Sequence, residues 1–439
     1  MTTNTGKPVV IVGAGLAGLA CARRLCREHV PIMVLEASDS VGGRVRTDRV
    51  ESADGPYLID RGFQVYLTAY PEGRRVLRTS ELGLRSFVPG AMVRFEGRFW
   101  RMADPLRAPW AVPDVLRSPL LTARDIPALA LLDTRLRLTG EAQCWDAPEQ
   151  TAEEFLRGAG ISTRAIERFF RPFFGGVFLD RSLKTSARKF RATYRMFARG
   201  RAALPRGGMQ AIPDQLAAGL GLEAVRTGQV AARISPGSRE TCEVALESGE
   251  TIDASAVVVA TDGSTAATLV PGLSAPGWKS TLSISFAADT PPSPEPILYL
   301  DGDGTGPANH VAVISNVQPG YAPAGRTLIS ASVVAPHGRS PQDQTLETRV
   351  RVQLREWFGP RVDGWRHIRT DVIEHALPHE DAPALARPQR PVITSAAGVF
   401  VAGDHVDNAS INGALESGRR AAEAVLSCLP LRRSTSAHD

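Results

Sequence analysis

Three glycines near the N-terminus have the spacing of a phosphate-binding turn. Gly13, Gly15 and Gly18 follow a four-residue apolar run and precede apolar residues at helical spacing, which places them between a strand and a helix. There Gly13 permits a tight turn, Gly15 lets the backbone approach a pyrophosphate, and Gly18 lets helix and strand pack closely. Leu16 and Ala17 occupy the first turn of that helix, whose free amides and positive dipole would meet the phosphate charge.

An acidic residue ends the next apolar run. Residues 32–35 predict a second buried strand, and Glu36 follows it. Its carboxylate can accept hydrogen bonds from both ribose hydroxyls of an adenosine, and the adjacent Ala37 is a further predicted contact. A 2′-phosphate would be repelled there, which argues against NADP. Because strand, glycines, helix, second strand and acid agree, we predict a dinucleotide site; the alternative is a glycine-rich turn without a ligand.

A second group of phosphate-binding residues follows this acid. Five residues separate Glu36 from Gly42, Gly43 and Arg44. The glycine pair lets the chain pass close to a pyrophosphate, and Arg44 offers a fixed cation with a fork of donors for phosphate oxygens. From residue 9 to residue 47 the pattern resembles the flavin-containing amine oxidase superfamily, which includes monoamine and polyamine oxidases, protoporphyrinogen oxidase and the phytoene desaturases. The resemblance implies FAD, rather than NAD, as the cofactor.

Later segments resemble the same superfamily and imply more cofactor contacts. Residues 205–209 look like the segment that re-enters the flavin domain, and the Gly-Asp pair after the apolar run 399–402 resembles the closing motif. In that motif the following helix points its N-terminus at the flavin. Alone, the acid could simply cap a turn. The implied contacts are Val230 at the adenine, Thr261, Gly403, Asp404 and the backbone of Ile411 and Asn412.

Residues 60–66 resemble the segment of the superfamily that lines the flavin and substrate cavity. The resemblance implies that Gly62 and Phe63 contact the flavin and that Gln64 and Tyr66 lie on the substrate side. Apolar residues also alternate with polar ones here, as they would in a half-buried strand. Both interpretations therefore stay open.

The motifs interleave along the chain and predict an α/β protein with two domains. A discontinuous Rossmann-like FAD-binding domain is expected over residues 1–80, 205–275 and 385–430. An inserted α+β substrate domain is expected over residues 81–204, which are largely helical, and 276–384, which are strand-rich and form a mixed sheet. Residues 431–439 are interpreted as a polar tail.

The closing segment bears on the type of reaction. Amine oxidases of the superfamily cage the amine between aromatic rings, one of them in a Tyr-x-Glu-Gly-Ala context that here reads Ser-Ile-Asn-Gly-Ala, residues 410–414. Residues 409–414 look more like the Ala-Ser-Met-Glu-Gly-Ala of plant-type phytoene and ζ-carotene desaturases, with Asn412 in place of the glutamate. This likeness favours oxidation at carbon over oxidation of an amine.

Lys279 is the candidate catalytic residue. Many amine oxidases use a lysine bridged by water to the flavin, and Lys279 lies near the matching strand, although its register is one or two positions off. A solvated lysine at a strand end is the alternative. No cysteine occurs in the closing motif, so we expect FAD to bind noncovalently.

Composition and charge exclude several classes of protein. The net charge is +5, but the basic residues are almost all arginines spread along the chain, so no nucleic-acid partner is predicted. Five cysteines without a C-x-x-C pair predict neither a disulfide framework nor a metal site and favour a reducing cytoplasm. Residues 106–138 mix Trp110 with leucines and arginines. They could contact a membrane surface peripherally, the alternative being an ordinary helical cap.

We therefore expect an FAD-dependent oxidoreductase that dehydrogenates a small organic substrate, carbon-centred and lipophilic, by hydride transfer to the flavin N5. Oxygen or another acceptor would take the electrons. An amine oxidase that forms an imine and hydrogen peroxide is one alternative. A noncatalytic prenyl- or lipid-binding module, like the GDP-dissociation inhibitors, is another. The sequence indicates no oligomeric state.

Overall fold

The computed structural model describes residues 6–221, 223–236, 241–334, 345–382 and 392–429. Helices and strands are numbered separately in chain order. The strands are β1 (Val9–Val12), β2 (Ile32–Leu35), β3 (Thr47–Val50), β4 (Tyr57–Asp60), β5 (Tyr66–Leu67), β6 (Arg85–Ser86), β7 (Gly90–Phe95), β8 (Arg98–Ala103), β9 (Ala202–Leu204), β10 (Val225–Arg226), β11 (Ala231–Pro236), β12 (Cys242–Leu246), β13 (Thr251–Ala254), β14 (Ala256–Val259), β15 (Trp278–Ala288), β16 (Leu298–Asp301), β17 (His310–Val313), β18 (Thr327–Val334), β19 (Arg366–Pro378) and β20 (Val399–Val401).

The helices are α1 (Leu16–Cys26), α2 (Pro71–Val76), α3 (Val112–Arg117), α4 (Asp125–Leu138), α5 (Glu141–Trp145), α6 (Ala152–Gly158), α7 (Thr163–Ala165), α8 (Arg171–Phe178), α9 (Ala187–Arg199), α10 (Ala211–Ala217), α11 (Gly263–Leu269), α12 (Ile314–Val317), α13 (Leu346–Phe358) and α14 (Ile411–Cys428). A π-helical segment, Ile166–Phe170, joins α7 to α8. Among the described helices none is long and apolar enough to cross a membrane.

The chain forms two compact units, and the first contains a parallel sheet. This unit draws its described residues from Met1–Gly43, Pro213–Pro276 and Gln389–Asp439. The sheet has the strand order β10-β2-β1-β14-β20, and all neighbouring strands are parallel. β1 and β14 are buried along their whole length, as expected for apolar strands covered on both faces. A three-stranded antiparallel sheet, β11-β12-β13, completes the unit's strands in the described residues.

The second unit combines a mixed sheet with a helical part. Its described residues come from Arg44–Ile212 and Gly277–Pro388. The seven-stranded sheet has the order β19-β15-β18-β17-β16-β7-β8 and is antiparallel except between β16 and β7. Helices α4, α6, α8 and α9 pack around phenylalanines such as Phe170, Phe174 and Phe190. This aromatic cluster is core packing.

The two faces of the seven-stranded sheet differ in polarity. On one face Ile284, Phe286, Val311, Ile329 and neighbours form an apolar core with α13. Since side chains alternate along a strand, the residues between them point to the other face. That face carries serines on β15 and β18, and they are buried even though they are polar.

The structure confirms the predicted fold class and several predicted elements. The strands expected at residues 9–12 and 32–35 are present as β1 and β2. The closing helix is α14.

The boundary between the two units differs from the predicted domain boundary in two places. Residues 44–80 and 205–212 belong to the second unit, because β3 pairs with β4 and β5 pairs with β9 inside it. Residues 385–391 and 431–439 of the predicted domains lie outside the described residues. The assignment of cofactor and substrate to these units stays a prediction.

Candidate active site

The turn after β1 is shaped by the glycines that the sequence singled out. Gly13 has a φ of 105°, in the region that favours glycine, and its amide donates to Leu35 O over 2.7 Å. A Cβ on Gly18 would lie 1.9 Å from Gly13 O, so only glycine allows α1 to pack this closely on the turn. These two glycines are therefore required by the fold itself.

Gly15 differs from the other two glycines. Its φ of −71° and ψ of 178° suit any residue, and it caps α1. A Cβ built on Gly15 would meet no atom of another described residue within 4 Å, apart from its chain neighbours. Gly15 itself has no side chain that could cap the first turn of α1, which contains Leu16 and Ala17. Open space thus faces the start of a helix whose amides favour an anion.

Glu36 follows β2, and its carboxylate is held in a fixed orientation. Its Oε2 accepts a hydrogen bond from Ala14 N over 2.7 Å, and its Oε1 accepts from Ser38 N and Ser38 Oγ. The side chain is buried, with 9% exposed. A carboxylate has about four lone-pair positions, so it can accept further bonds from hydroxyls. Ala37, next in the chain, is exposed.

Gly42 and Gly43 lie directly beside the turn. Gly42 N donates to Ala14 O over 2.9 Å, and Gly42 forms a parallel bridge with Gly15. Gly43 has a φ of 59°, and a Cβ on it would lie 3.4 Å from Gly15 Cα. The two glycine segments therefore line the same space.

The carboxyl ends of three strands meet at this turn. Val12, Val259 and Val401 are register partners, so the residues that follow them share one edge of the sheet. Thr261 N would lie 3.1 Å from a Cβ on Gly13. Gly403, after β20, donates its amide to Ser417 Oγ on α14 over 2.9 Å.

Helix α14 connects the closing motif with the first turn. A Cβ on Gly418 would lie 2.1 Å from Ala17 O, which shows how closely α14 packs on the start of α1. Asp404 and Asn412 are buried, with 6% and 5% exposed. Ile411 and Asn412 form the first turn of α14, which Ser410 Oγ caps by accepting from Gly413 N.

Val230 lies close to the chain beside Glu36. The preceding residue, Gln229, donates its amide to Glu36 O over 2.8 Å, and Gly228 N donates to Ser38 O. Val230 O in turn accepts from Glu247 N. Its side chain is half-buried. The first unit thus brings the residues predicted to contact adenine and ribose to one edge of its sheet.

These observations test whether the residues fit a bound dinucleotide. Any side chain at Gly15 would fill the open space there. The backbone amides of α1 begin at the same point, and the carboxylate of Glu36 lies in a fixed orientation after β2. Pyrophosphate and ribose need these features. The residues present fit such a group.

In the second unit the Arg44 guanidinium has partners on β15 and β19. Nη1 donates to Ala376 O over 3.0 Å, and the guanidinium lies 5.5 Å from the centre of the Trp278 ring. Gln64 Nε2 donates to Arg44 O over 2.8 Å, so the side chain of Gln64 orients the backbone at Arg44. The predicted phosphate contact of Arg44 stays a prediction.

Gly62, Phe63 and Gln64 line a small pocket of the second unit. The space outside protein atoms is about 290 Å³, part of it open solvent. Gly62 has a φ of 88°, so the chain turns there and does not continue as the half-buried strand that the alternation also allowed. The remaining lining residues are Leu58, Ile59, Asp60, Ser285, Ile314, Tyr321, Leu328 and Ser330.

Tyr66 is not among the residues that line this pocket. Its side chain is fully buried, its ring packs 5.7 Å from that of Tyr70, and a Cβ on Gly73 would lie 2.3 Å from its hydroxyl. Burial raises the pKa of Tyr66 to about 12. This enclosure does not favour the predicted substrate role.

Lys279 is held by acidic side chains of its own unit. Its Nζ donates to Asp381 Oδ1 over 2.6 Å and to Thr185 Oγ1 over 3.3 Å, and Asp180 lies 3.8 Å away. Its side chain is 4% exposed, so the alternative of a solvated lysine is wrong. A catalytic role would need this ammonium to act on the flavin or the substrate, but it already interacts with two carboxylates.

Asp60 is a pocket residue that the sequence analysis did not single out. It accepts hydrogen bonds from Thr47 Oγ1 at 2.5 Å, Met209 N at 3.0 Å and Tyr321 Oη at 3.0 Å. Burial raises the pKa of Asp60 to about 6, although these three bonds oppose the rise. Asp60 thereby links its own strand, β4, to three other segments of the chain, at residues 47, 209 and 321.

Serines and one histidine form two rows across the central strands of the mixed sheet. Ser283 pairs in register with Ser332, and Ser332 pairs with His310; Ser285 pairs with Ser330 in the next row. Ser285 and Ser330 line the pocket. The sequence contained a signal for these rows, because serines alternate with apolar residues at 283 and 285 and again at 330 and 332.

His310 is a buried, neutral member of these rows. Burial lowers the pKa of His310 to about 4. Its Nδ1 lies 3.2 Å from Asn309 Nδ2, so Nδ1 accepts and the proton resides on Nε2. That Nε2 makes no hydrogen bond within the described part of the chain. The ring of Phe63, a pocket residue, lies 4.8 Å away.

Comparison with known proteins identifies the family. The family model for flavin-containing amine oxidoreductases matches residues 16–426. The chain is 33% identical over 153 residues to amine oxidase [flavin-containing] A of Canis lupus familiaris, covering 27% of this chain and 28% of that protein. It is 27% identical over 179 residues to the 15-cis-phytoene desaturase of Narcissus pseudonarcissus, covering 38% of this chain and 30% of that protein. The aligned stretches therefore span under a third of these relatives.

A solved structure agrees with the fold of the whole chain. An oxidoreductase from Methanosarcina mazei superposes with a TM-score of 0.74 at 19% identity, covering 95% of this chain and all of that one. At this identity the likeness concerns the fold alone. The family match establishes that this chain belongs to the flavin-containing amine oxidoreductase family, which uses FAD as its cofactor.

Proposed function

We propose that this protein binds FAD noncovalently and dehydrogenates a small, largely apolar organic substrate at carbon. When bound, the flavin supplies a hydride acceptor, and the electrons then pass to oxygen or another acceptor. The protein's own residues hold the cofactor, position the substrate and exclude water. A catalytic base is not required for the hydride step itself.

The single observation that carries the cofactor site is the open space at Gly15. Neither its backbone angles nor a neighbouring atom requires glycine there. A ligand that must approach the backbone does require it, and the amides at the start of α1 select an anionic one. In the proposed arrangement the pyrophosphate lies at Gly15, Leu16 and Ala17, and the ribose bonds to Glu36.

The pocket of the second unit supports a substrate with an apolar body. Leu58, Ile59, Phe63, Ile314 and Leu328 are apolar lining residues. The same pocket contains Asp60, Gln64 and two serines, which can orient a neutral polar group. The likeness of residues 409–414 to desaturases favours carbon as the site of oxidation.

The positions of the cysteines bear on both flavin attachment and location. The closing segment, residues 403–412, contains no cysteine that could attach the flavin. None of the five cysteines, all of which lie in the described residues, forms a disulfide, which supports work in a reducing cytoplasm. They are Cys21, Cys26, Cys144, Cys242 and Cys428.

The test begins with the purified protein. We expect a yellow protein whose flavin is released intact by acid or denaturant, as only a noncovalent cofactor would be. Anaerobic mixing with a panel of unsaturated terpenoid hydrocarbons, secondary alcohols and amines should then bleach the flavin with a member of the carbon-centred classes. A colourless protein that cannot be reconstituted with FAD would overturn the proposal.

Amine oxidation is the second candidate. The match to amine oxidase A favours it, although that match covers 27% of this chain. The same panel separates the two candidates, because an amine oxidase would be bleached by amines and would form hydrogen peroxide on return to air. Bleaching by a simple amine alone would replace carbon oxidation with this second function.

A further inference from the structure

Exposed apolar side chains are concentrated in one stretch of the second unit. Among the described residues eight large apolar side chains are exposed, and five of them lie between residues 106 and 138. They range from 59% to 81% exposed, which is unusual for leucine and tryptophan. These five, which we call the 106–138 surface, are Leu106, Trp110, Leu116, Leu131 and Leu138.

The 106–138 surface is built on ordered helices. Leu132 and Leu136 on the inner side of α4 are buried in the helical core, together with Val115 of α3 at its edge. The outer side of α4 exposes residues 127, 131, 134 and 138, which follow one another at helical spacing. Leu131 and Leu138 thus point outward from a helix whose opposite side is covered by the core.

Two arginines bring the ends of this stretch together. Arg137 donates to Asp104 Oδ2 over 2.5 Å, and Arg107 donates to Phe197 O over 2.7 Å. Arg137 also donates to Ala198 O. The backbone segments that carry Leu106 and Leu138, neighbours of these arginines in the chain, are therefore both held near the same end of α9.

Exposed charge around this surface is positive. Arg117, Arg124 and Arg135 are exposed, and none of them forms an ion pair within the described ranges of the chain. The exposed acid of the stretch, Asp114, is already paired with Arg101 over 3.7 Å. A partner for this surface must therefore offer both apolar area and negative charge.

We propose that the 106–138 surface binds peripherally to an anionic lipid bilayer. Leucines and Trp110 would enter the boundary between headgroups and acyl chains, and the three arginines would meet anionic headgroups. Apolar side chains interspersed with unpaired arginines match a bilayer boundary, whereas a protein partner would need matched acids on a complementary surface. The proposal does not depend on the identity of the substrate.

The test is co-sedimentation of the FAD-bound protein with vesicles. The wild type should bind vesicles of equal parts phosphatidylcholine and phosphatidylglycerol in roughly 0.1 M NaCl, and raising NaCl to roughly 0.5 M should weaken binding. Leu131→Ser/Leu138→Ser should reduce partitioning by roughly tenfold or more, because two apolar side chains no longer enter the bilayer. The wild type should prefer these vesicles to vesicles of phosphatidylcholine alone, and Arg124→Glu/Arg135→Glu should remove this preference.

Val352→Ser/Ile393→Ser is the matched control, since both residues are exposed apolar side chains outside this stretch, and it should bind as the wild type does. Flavin absorbance shows whether each variant still binds its cofactor and is therefore folded. A loss of lipid binding can then be distinguished from unfolding or loss of FAD. Wild-type protein that ignores both kinds of vesicle would overturn the proposal. So would a dimer in light scattering that the leucine variant abolishes, because the surface would then be covered by a second copy.

Discussion

Lys279 Nζ donates to Asp381 Oδ1 over 2.6 Å, and the side chain of Lys279 is almost fully buried. Removing one partner of such a pair leaves a buried charge without its counterion. We expect Lys279→Met to lower the free energy of unfolding by about 3 kcal/mol. Urea denaturation measures this change.

Lys279→Met/Asp381→Asn should recover part of that stability, because only Asp180 is then left without its cation, and should keep flavin reduction close to the wild-type rate. A structural role predicts this recovery. If the double variant were stable but reduced its flavin many times more slowly, the predicted catalytic role of Lys279 would be supported instead.

His310 should make the protein less stable in acid. Burial lowers the pKa of His310 to about 4, below its ordinary value of 6.5, so the unfolded chain binds the extra proton first. Stability is therefore lost as pH falls from about 6.5 to about 4, by about 3 kcal/mol. His310→Asn should lack this loss, as measured by denaturation at both pH values, while His367→Asn, a change at an exposed histidine, should retain it.

Asp60 should show the opposite dependence. Its pKa is raised from 3.8 to about 6 by burial, so the folded state binds the proton more tightly than the unfolded chain. The contribution of Asp60 is complete below pH 4 and is lost as pH rises from about 4 to about 6, by about 3 kcal/mol. Asp60→Asn should therefore become more stable relative to the wild type as pH rises through this range. The exposed-acid variant Asp363→Asn is the control, and identical pH profiles for wild type and Asp60→Asn would exclude this effect.

Glu36 should contribute to FAD affinity rather than to folding alone. Replacing its carboxylate by an amide in Glu36→Gln exchanges charge-assisted bonds to ribose for weaker ones, and we expect the dissociation constant of FAD to rise roughly tenfold to a hundredfold. Titration of the FAD-free protein by flavin fluorescence gives this constant. Glu28→Gln changes an exposed acid of the segment after α1 and should leave the constant unaltered.

The proposed cofactor site, at the carboxyl edge of the parallel sheet in the first unit, could be predicted because the residues that indicate it are close together in the sequence. The strand, the glycines and Glu36 lie within 28 residues, and the carboxyl ends of parallel strands must share one edge. His29 illustrates this locality. It lies three residues after the end of α1, and its φ of 55° is in the left-handed region that glycine adopts most readily.

The pocket of the second unit could be predicted only in part. Gly62, Phe63 and Gln64 were found by resemblance, but Ser285, Ser330 and Tyr321 join them through strand register and long-range packing. The same packing encloses Tyr66 and pairs Lys279 with Asp381, which no spacing in the sequence could indicate. The alternating serines were a usable signal, but period two alone does not tell which face will border a pocket.

Binding of FAD to Gly15→Val shows whether the turn after β1 holds the pyrophosphate. Valine suits the backbone angles of Gly15, and its Cβ meets no described neighbour, so the FAD-free variant should unfold close to the wild-type temperature. Its dissociation constant for FAD should nevertheless rise roughly a hundredfold or more, because the side chain occupies the space that the pyrophosphate needs. Gly18→Ala should instead destabilise the fold. FAD binding to Gly15→Val with wild-type affinity would contradict the account.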